Sequence, residues 1–172
     1  FVENKLHSTP GIKKYYYFGP MFRYERPQAG RYREFHQFGV EVFGSKEPSM
    51  DAEVISLAMD SLKKLGLKGL RLNINNLGCP CCRPKYNEAL KKYLEDNYDK
   101  LCSTCETRFE KNPMRILDCK EKRCKEFNVG APMMIDYLCD ECNKNNEKVK
   151  ESLKALDVKF EIDSGIVRGL DY

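Results

Sequence analysis

"FRYERPQAGRYREFHQ", residues 22 to 37, sets four arginines and two glutamates among aromatic residues, with one proline and one glycine near its middle. Its flanks, "KKYYYFGPMFRYE" (13–25) and "REFHQFGVEVF" (33–43), are rich in aromatic and β-branched residues, and Pro27 and Gly30 punctuate "RPQAGRY" between them. That pattern predicts two antiparallel strands joined by a loop of several residues. No two-residue hairpin turn is available, so the loop is able to extend and close over a ligand. Arginine offers a planar fork of donors that matches carboxylate or phosphate oxygens in pairs. Arg23, Arg26, Arg31 and Arg33 would repel one another unless anions lay between them. Glu25 and Glu34 supply part of that charge, and the remainder suits a polyanionic ligand. The plain alternative is a solvated hairpin laced by exposed ion pairs.

Downstream of the hairpin the periodicity turns helical. Between Pro48 and Gly66, Val54, Ile55, Ala58, Leu62 and Leu65 recur at three and four, Ser49 or Asp51 is placed to cap, and Gly66 is placed to stop the helix. "GLRLNIN" (69–75) and "VKFEI" (158–162) alternate as strands, and residues 84–96 and 143–156 read as helices. The predicted class is α+β: an antiparallel sheet with flanking helices, interrupted by a mainly helical, Cys-rich insertion. The expected boundaries are a core over 1–75, an insertion lobe over 76–150, and a return to the core over 151–172.

At 172 residues, 41% hydrophobic and 33% charged, the chain suits one core with a smaller lobe. A net charge of +4 says little about partners. No apolar run is long enough to span a bilayer and nothing at the start resembles a signal peptide, so the expected setting is cytoplasmic, with no membrane partner. The chain opens with Phe1 and stops at Tyr172 after a Gly-Leu-Asp run, which reads as a fragment.

All nine cysteines fall between Cys79 and Cys142, and eight form pairs: Cys79/Cys82, Cys102/Cys105, Cys119/Cys124 and Cys139/Cys142. Three pairs have C-x-x-C spacing; the third has four intervening residues. An odd count confined to one segment suits metal ligands in a reducing compartment better than a disulfide scaffold. A short knuckle supplies two of the four thiolates that zinc takes in a tetrahedron. The simplest partition joins the first two pairs in one site and the last two in another. Other pairings, one site with spectator cysteines, and a disulfide artefact stay open. Cys81 is left over, with no expected role.

The order of residues narrows this further. "GPMFRYERPQAGRYREFHQFGVEVFG" (19–44) closely resembles motif 2 of class II aminoacyl-tRNA synthetases, the histidyl-tRNA synthetases in particular, and "IVRGLDY" (166–172) resembles the histidyl-specific motif of that family. "NPMRILDCK" (112–120) and "APMMIDYL" (131–138) are similar to its inserted region, so the likeness runs through essentially the whole chain.

The resemblance implies a class II synthetase-type antiparallel sheet and a ligase that joins L-histidine to ATP, with Mg²⁺, and passes the histidyl group to tRNA(His). It implies that Arg23 and Arg168 stabilise charge on the α-phosphate, Glu25 reads the adenine end, Arg31 meets the terminal phosphates and adenine stacks on Phe35. It further implies that Gln37 and Glu41 select histidine, with Glu41 facing the imidazole, and that Arg168 and Tyr172 belong to the same pocket. Their spacing of four puts Gln37 and Glu41 on one strand face if no bulge intervenes.

The metal of the lobe would be structural, replacing a core that roughly 70 residues can barely build. In the family this lobe leans over the tRNA acceptor arm, where Arg108, Lys111 and Arg123, among other basic residues, would meet phosphates. The intact protein is expected to be a homodimer. The family's first and third motifs and its anticodon-binding domain are not among these residues, so the fragment is expected to catalyse little alone.

Plainer readings stand beside these. Glu41 could be an ordinary strand carboxylate, His36 is not read as catalytic, Tyr15 to Phe18 are read as core, and Lys13 and Lys14 as solvated. Two rival functions compete: a non-enzymatic synthetase-like regulatory subunit of histidine biosynthesis, and a free-standing zinc nucleic-acid-binding module. The first would tend to lose Arg168 or the motif 2 loop; the second leaves residues 20–43 and 166–172 unexplained.

Overall fold

A computed structural model describes residues 1–169. The hairpin forms as an antiparallel ribbon of β1 (Lys13–Phe22) and β2 (Glu34–Phe43), in unbroken register from Lys13 opposite Phe43 to Phe22 opposite Glu34. At its tip Gln28 and Arg31 exchange backbone hydrogen bonds around Gly30, whose φ of +72° is the left-handed conformation that glycine adopts without strain.

Helix α1 (Pro48–Lys64) begins with proline in its first turn and ends at Gly66, where the Gly66 and Leu67 N–H groups donate to the carbonyls of Lys63 and Leu62. That pairing is a Schellman stop. Helix α5 (Asp140–Ala155) stops the same way, with Asp157 in the left-handed position and Val158 N–H donating to the Leu153 carbonyl. The two helices pack together, burying Ala52, Leu153 and Val158 with Ile55, Met59, Leu72, Ile74 and Phe160 around them.

Residues 69–75 and 158–162 form strands only at β3 (Asn73–Ile74) and β4 (Glu161–Ile162), and these run parallel. The antiparallel expectation thus holds for the ribbon and not for this second pair. The reason is connectivity: the chain leaves β3, builds the cysteine segment, and returns through α5 in a crossover, which suits parallel pairing.

Between β3 and α5 lies a second core. Helix α2 (Arg83–Glu95) buries Tyr86, Leu90 and Leu94 at intervals of four, and they meet Leu101, Phe109, Ile116, Phe127 and Met134. Burying one such side chain is worth about 1.5–3 kcal/mol. Two short helices, α3 (Ser103–Lys111) and α4 (Lys122–Asn128), complete it, and six buried or half-buried cysteines besides Cys82 and Cys105 pack into the same cluster.

Tyr15 to Phe18 are not core in this chain: Tyr16 is 84% exposed and Phe18 74%. A two-stranded ribbon has no neighbouring strand to sandwich them, and α1 covers only part of that face, where Lys14 pairs with Glu53. Among the described residues no helix is long and apolar enough to cross a membrane.

Candidate active site and thiolate centres

Because β1 and β2 pair without a bulge, alternate residues share a face. Tyr15, Tyr17, Gly19 and Met21 stand opposite Glu41, Gly39, Gln37 and Phe35, and Arg23 extends the same face, its N–H donating to the Arg33 carbonyl. The guanidinium of Arg23 sits 4.3 Å from the centroid of the Phe35 ring, and its Nε donates to the Tyr32 carbonyl at 2.6 Å. One edge of the fork is thereby fixed, and the ring's negative face steadies the charge.

Further along, Gln37 Nε2 donates to the Tyr17 hydroxyl at 3.1 Å. Tyr17 reaches there by lying across Gly39, where any Cβ would come within 2.5 Å of two ring carbons and the hydroxyl oxygen of Tyr17. The motif reading overlooked Tyr17, although a glycine inside a strand pattern is a signal for such a close approach. Glu41 lines an open cleft of about 630 Å³ between β2, the start of α1, residues 74–77 and α5. Asp51 faces the same cleft, its carboxyl raised above the ordinary range by burial. His36 lies on the other face, beside Phe18.

In the tip, Arg31 Nη2 pairs with Glu25 Oε1 at 2.7 Å, with both side chains about half exposed, and Arg33 Nε approaches the Glu25 carbonyl at 3.4 Å. Such an exposed pair is worth at most about 1 kcal/mol, so Arg31 can exchange Glu25 for a stronger anion at small cost. Arg168 lies well away in sequence, and its Nε donates to Asp118 Oδ2 at 2.5 Å. Tyr172 falls outside the described residues.

The eight paired cysteines gather into two groups of four, with all sulfurs in each group within 4.8 Å of one another: Cys79, Cys82, Cys139 and Cys142, and Cys102, Cys105, Cys119 and Cys124. This corrects the simplest partition. The first pair joins the last and the second joins the third, because the start of α5 meets the start of α2 and brings Cys139 to Cys82, whose sulfur accepts the Cys139 N–H at 3.1 Å. Sulfurs of neighbouring ligands sit 3.4 Å (Cys79/Cys82), 3.8 Å (Cys79/Cys139) and 3.8 Å (Cys102/Cys119) apart. Zinc–sulfur bonds of about 2.3 Å in a tetrahedron put sulfurs about 3.8 Å apart, so the spacing fits. A disulfide needs about 2.05 Å, and all nine cysteines are free thiols.

Local structure prepares these groups for charge. Cys82, Cys102 and Cys139 each occupy the N-cap of a helix. Without a cation the four thiols of a group must share protons. The Cys79 thiol is drawn down to about 6, chiefly by the hydrogen bond from Cys82, while burial pushes Cys142 up to about 12 and Cys105 further upward. A divalent cation at the centre would replace those protons. Cys81 is exposed and belongs to neither group.

Comparison with known proteins points one way. Residues 2–79 match the family model described as histidyl-tRNA synthetase. The whole chain is 59% identical to the histidine–tRNA ligase of Clostridium perfringens, covering 42% of that protein, and 56% identical to the histidine–tRNA ligase of Desulforamulus reducens, covering 41%. The chain therefore spans about two fifths of the length of the curated relatives it matches. Among solved structures, the apo histidyl-tRNA synthetase of S. aureus superposes with a TM-score of 0.70 at 40% identity, over 99% of this chain and 39% of that one.

Proposed function

Since this chain belongs to the histidyl-tRNA synthetase family, we propose that it forms part of the catalytic core of a histidine–tRNA ligase, which activates L-histidine with ATP and transfers the histidyl group to tRNA(His). The observation that carries this reading is the single face of β1–β2 on which Arg23, Phe35, Gln37 and Glu41 alternate without a bulge. One strip then holds a fixed cation over an aromatic ring at one end and a polar, carboxylate-bearing end for an imidazole at the other.

In the first step the histidine carboxylate attacks the α-phosphate and pyrophosphate leaves. Negative charge concentrates on the phosphoryl oxygens, so Arg23 and Arg168 stabilise the transition state more than the ground state. Phe35 stacks on adenine, Glu25 reads its edge, and Arg31 turns from Glu25 to the terminal phosphates, with Mg²⁺ neutralising what the arginines leave. Glu41 accepts the imidazole N–H, and Gln37, four residues back on the same strand face and held by Tyr17, meets another part of the amino acid. A site whose polar groups must pair with the substrate side chain discriminates against amino acids that lack the partner group.

The ribbon belongs to a class II synthetase sheet completed in the intact, cytosolic, homodimeric protein. Residues 76–150 are its Cys-rich insertion, between core segments 1–75 and 151–172. The two thiolate groups each hold a structural Zn²⁺, and the lobe lies against the tRNA acceptor arm. The test is histidine-dependent ATP–pyrophosphate exchange by the intact protein. Arg23→Ala should lower the rate by about 10²–10³, and Glu41→Gln should raise the KM for histidine with a smaller effect on that for ATP. Exchange without histidine dependence, or an unaffected Arg23→Ala, would return the regulatory-subunit reading to first place.

A further inference from the structure

Asp118 stands where three guanidinium groups converge. Its Oδ2 accepts from Arg168 Nε at 2.5 Å and lies 3.6 Å from Arg115 Nε, and its Oδ1 lies 3.7 Å from Arg108 Nη1. The Asp118 side chain is 13% exposed, whereas that of Arg168 is 65% exposed. Among the described residues only Arg168 makes a hydrogen bond to the carboxylate, and the Arg115 Nε and Asp118 Oδ1 atoms have no hydrogen-bond partner there. Arg108 and Arg115 thus offset the charge of Asp118 while leaving its directed contact to Arg168.

The backbone on either side of Asp118 is fixed by the lobe. Ile116 is fully buried, and its carbonyl accepts from both Asn128 Nδ2 and the Cys119 N–H. Cys119 belongs to the group of Cys102, Cys105, Cys119 and Cys124, the inner of the two along the chain. The segment carrying Arg168 is tethered from the other side, by Asn75 Nδ2 donating to the Ile166 carbonyl and Asn73 Nδ2 donating to Asp163 Oδ2.

We propose that Asp118 is a positioning residue for the phosphate-binding arginine Arg168, linking the thiolate lobe to the chemistry of the α-phosphate; the proposal rests on the role assigned above to Arg168. A guanidinium is a planar fork. Holding its Nε edge on a carboxylate that is itself immobile fixes the plane and leaves both Nη groups free to meet two phosphoryl oxygens. A phosphate held only in the transition state responds to this orientation in kcat rather than in KM.

The experiment is histidine-dependent ATP–pyrophosphate exchange on the intact protein, with Asp118→Asn, Asp118→Glu, Arg168→Ala, Arg168→Lys and the double variant Asp118→Asn/Arg168→Lys. Asp118→Asn should lower kcat about tenfold with both KM values within about twofold, at unchanged zinc content, and Asp118→Glu should recover part of the loss. Lysine has no Nε edge to grip, so Asp118→Asn should cost nothing further in the Arg168→Lys background.

An equal fold-loss in both backgrounds would overturn the proposal and make Asp118 a support of the lobe alone, even where the single variant loses stability. Unchanged kcat in Asp118→Asn would overturn it directly. Wild-type exchange by Arg168→Ala would instead remove the role of Arg168 and take the proposal with it.

Discussion

On the ribbon, Arg23, Gln37 and Glu41 stand on a two-stranded surface whose neighbours Tyr16 and Phe18 are largely in solvent, while in the lobe Cys105 and Cys124 are fully buried beside Leu90 and Ile116. The ribbon takes its order from backbone register and a few directed contacts, such as Arg23 on the Tyr32 carbonyl, and leaves its charged ends available. The lobe spends its polar groups internally, with sulfurs aimed at one another instead of outward. Chemistry that must exchange ligands sits where order is cheap to perturb, and chemistry that must never exchange them is built into a core.

The hardest test of that contrast is to take one sulfur from the core. Cys124→Ser should abolish the inner site, remove about one equivalent of zinc and destabilise the lobe by at least about 4 kcal/mol. Amide exchange over residues 83–128 would report it, and unchanged protection there would break the comparison. Acid should act in the same direction. Metal binding to thiols releases protons, so a loaded, folded lobe binds fewer protons than the unfolded chain. Stability supplied by the metal is therefore present at higher pH and lost as pH falls. A chelator should strip zinc much faster at about pH 5.5 than at about pH 8, with the ribbon unaffected.

A milder change sharpens the ribbon side. Gly39→Ala would place a methyl group on the Tyr17 ring, displace it and release Gln37, raising the KM for histidine about tenfold with zinc content unchanged. The smallest effect belongs to Glu53→Gln. It removes the Lys14 pair, in which both side chains are about half exposed, and should shift stability by less than about 0.5 kcal/mol in a denaturant titration, less still in high salt.

What could be read from the sequence follows from how far apart the interacting residues are. The strands of the ribbon, α1 and the shared parity of Gln37 and Glu41 are local patterns, visible in any window of ten residues. Helices α3 and α4 are too short and charged to show a period, and tertiary burial of Phe109 and Phe127 fixes them. "GLRLNIN" alternates over seven residues, yet its ladder is confined to Asn73 and Ile74, with the Leu72 carbonyl accepting from the Glu161 N–H beside it. The cysteine knuckles were legible and their partition was not, since spacing along the chain carries no information about where α5 returns. The contact of Asp118 with Arg168 spans 50 residues and leaves no local trace.

The nesting of the two thiolate groups also sets an order in time. All four inner sulfurs have left the ribosome once Cys124 has, with 13 residues between Cys105 and Cys119, whereas the outer group must wait for Cys142 and close 56 residues between Cys82 and Cys139. Closing the longer loop first would cost about 1 kcal/mol more in chain entropy, so assembly from the inside out is favoured even after release. During that interval Cys79 and Cys82 wait unpartnered beside the exposed Cys81. The nascent chain is thus most open to oxidation before its last knuckle is made, and an oxidant that spares the finished protein would still catch it during synthesis.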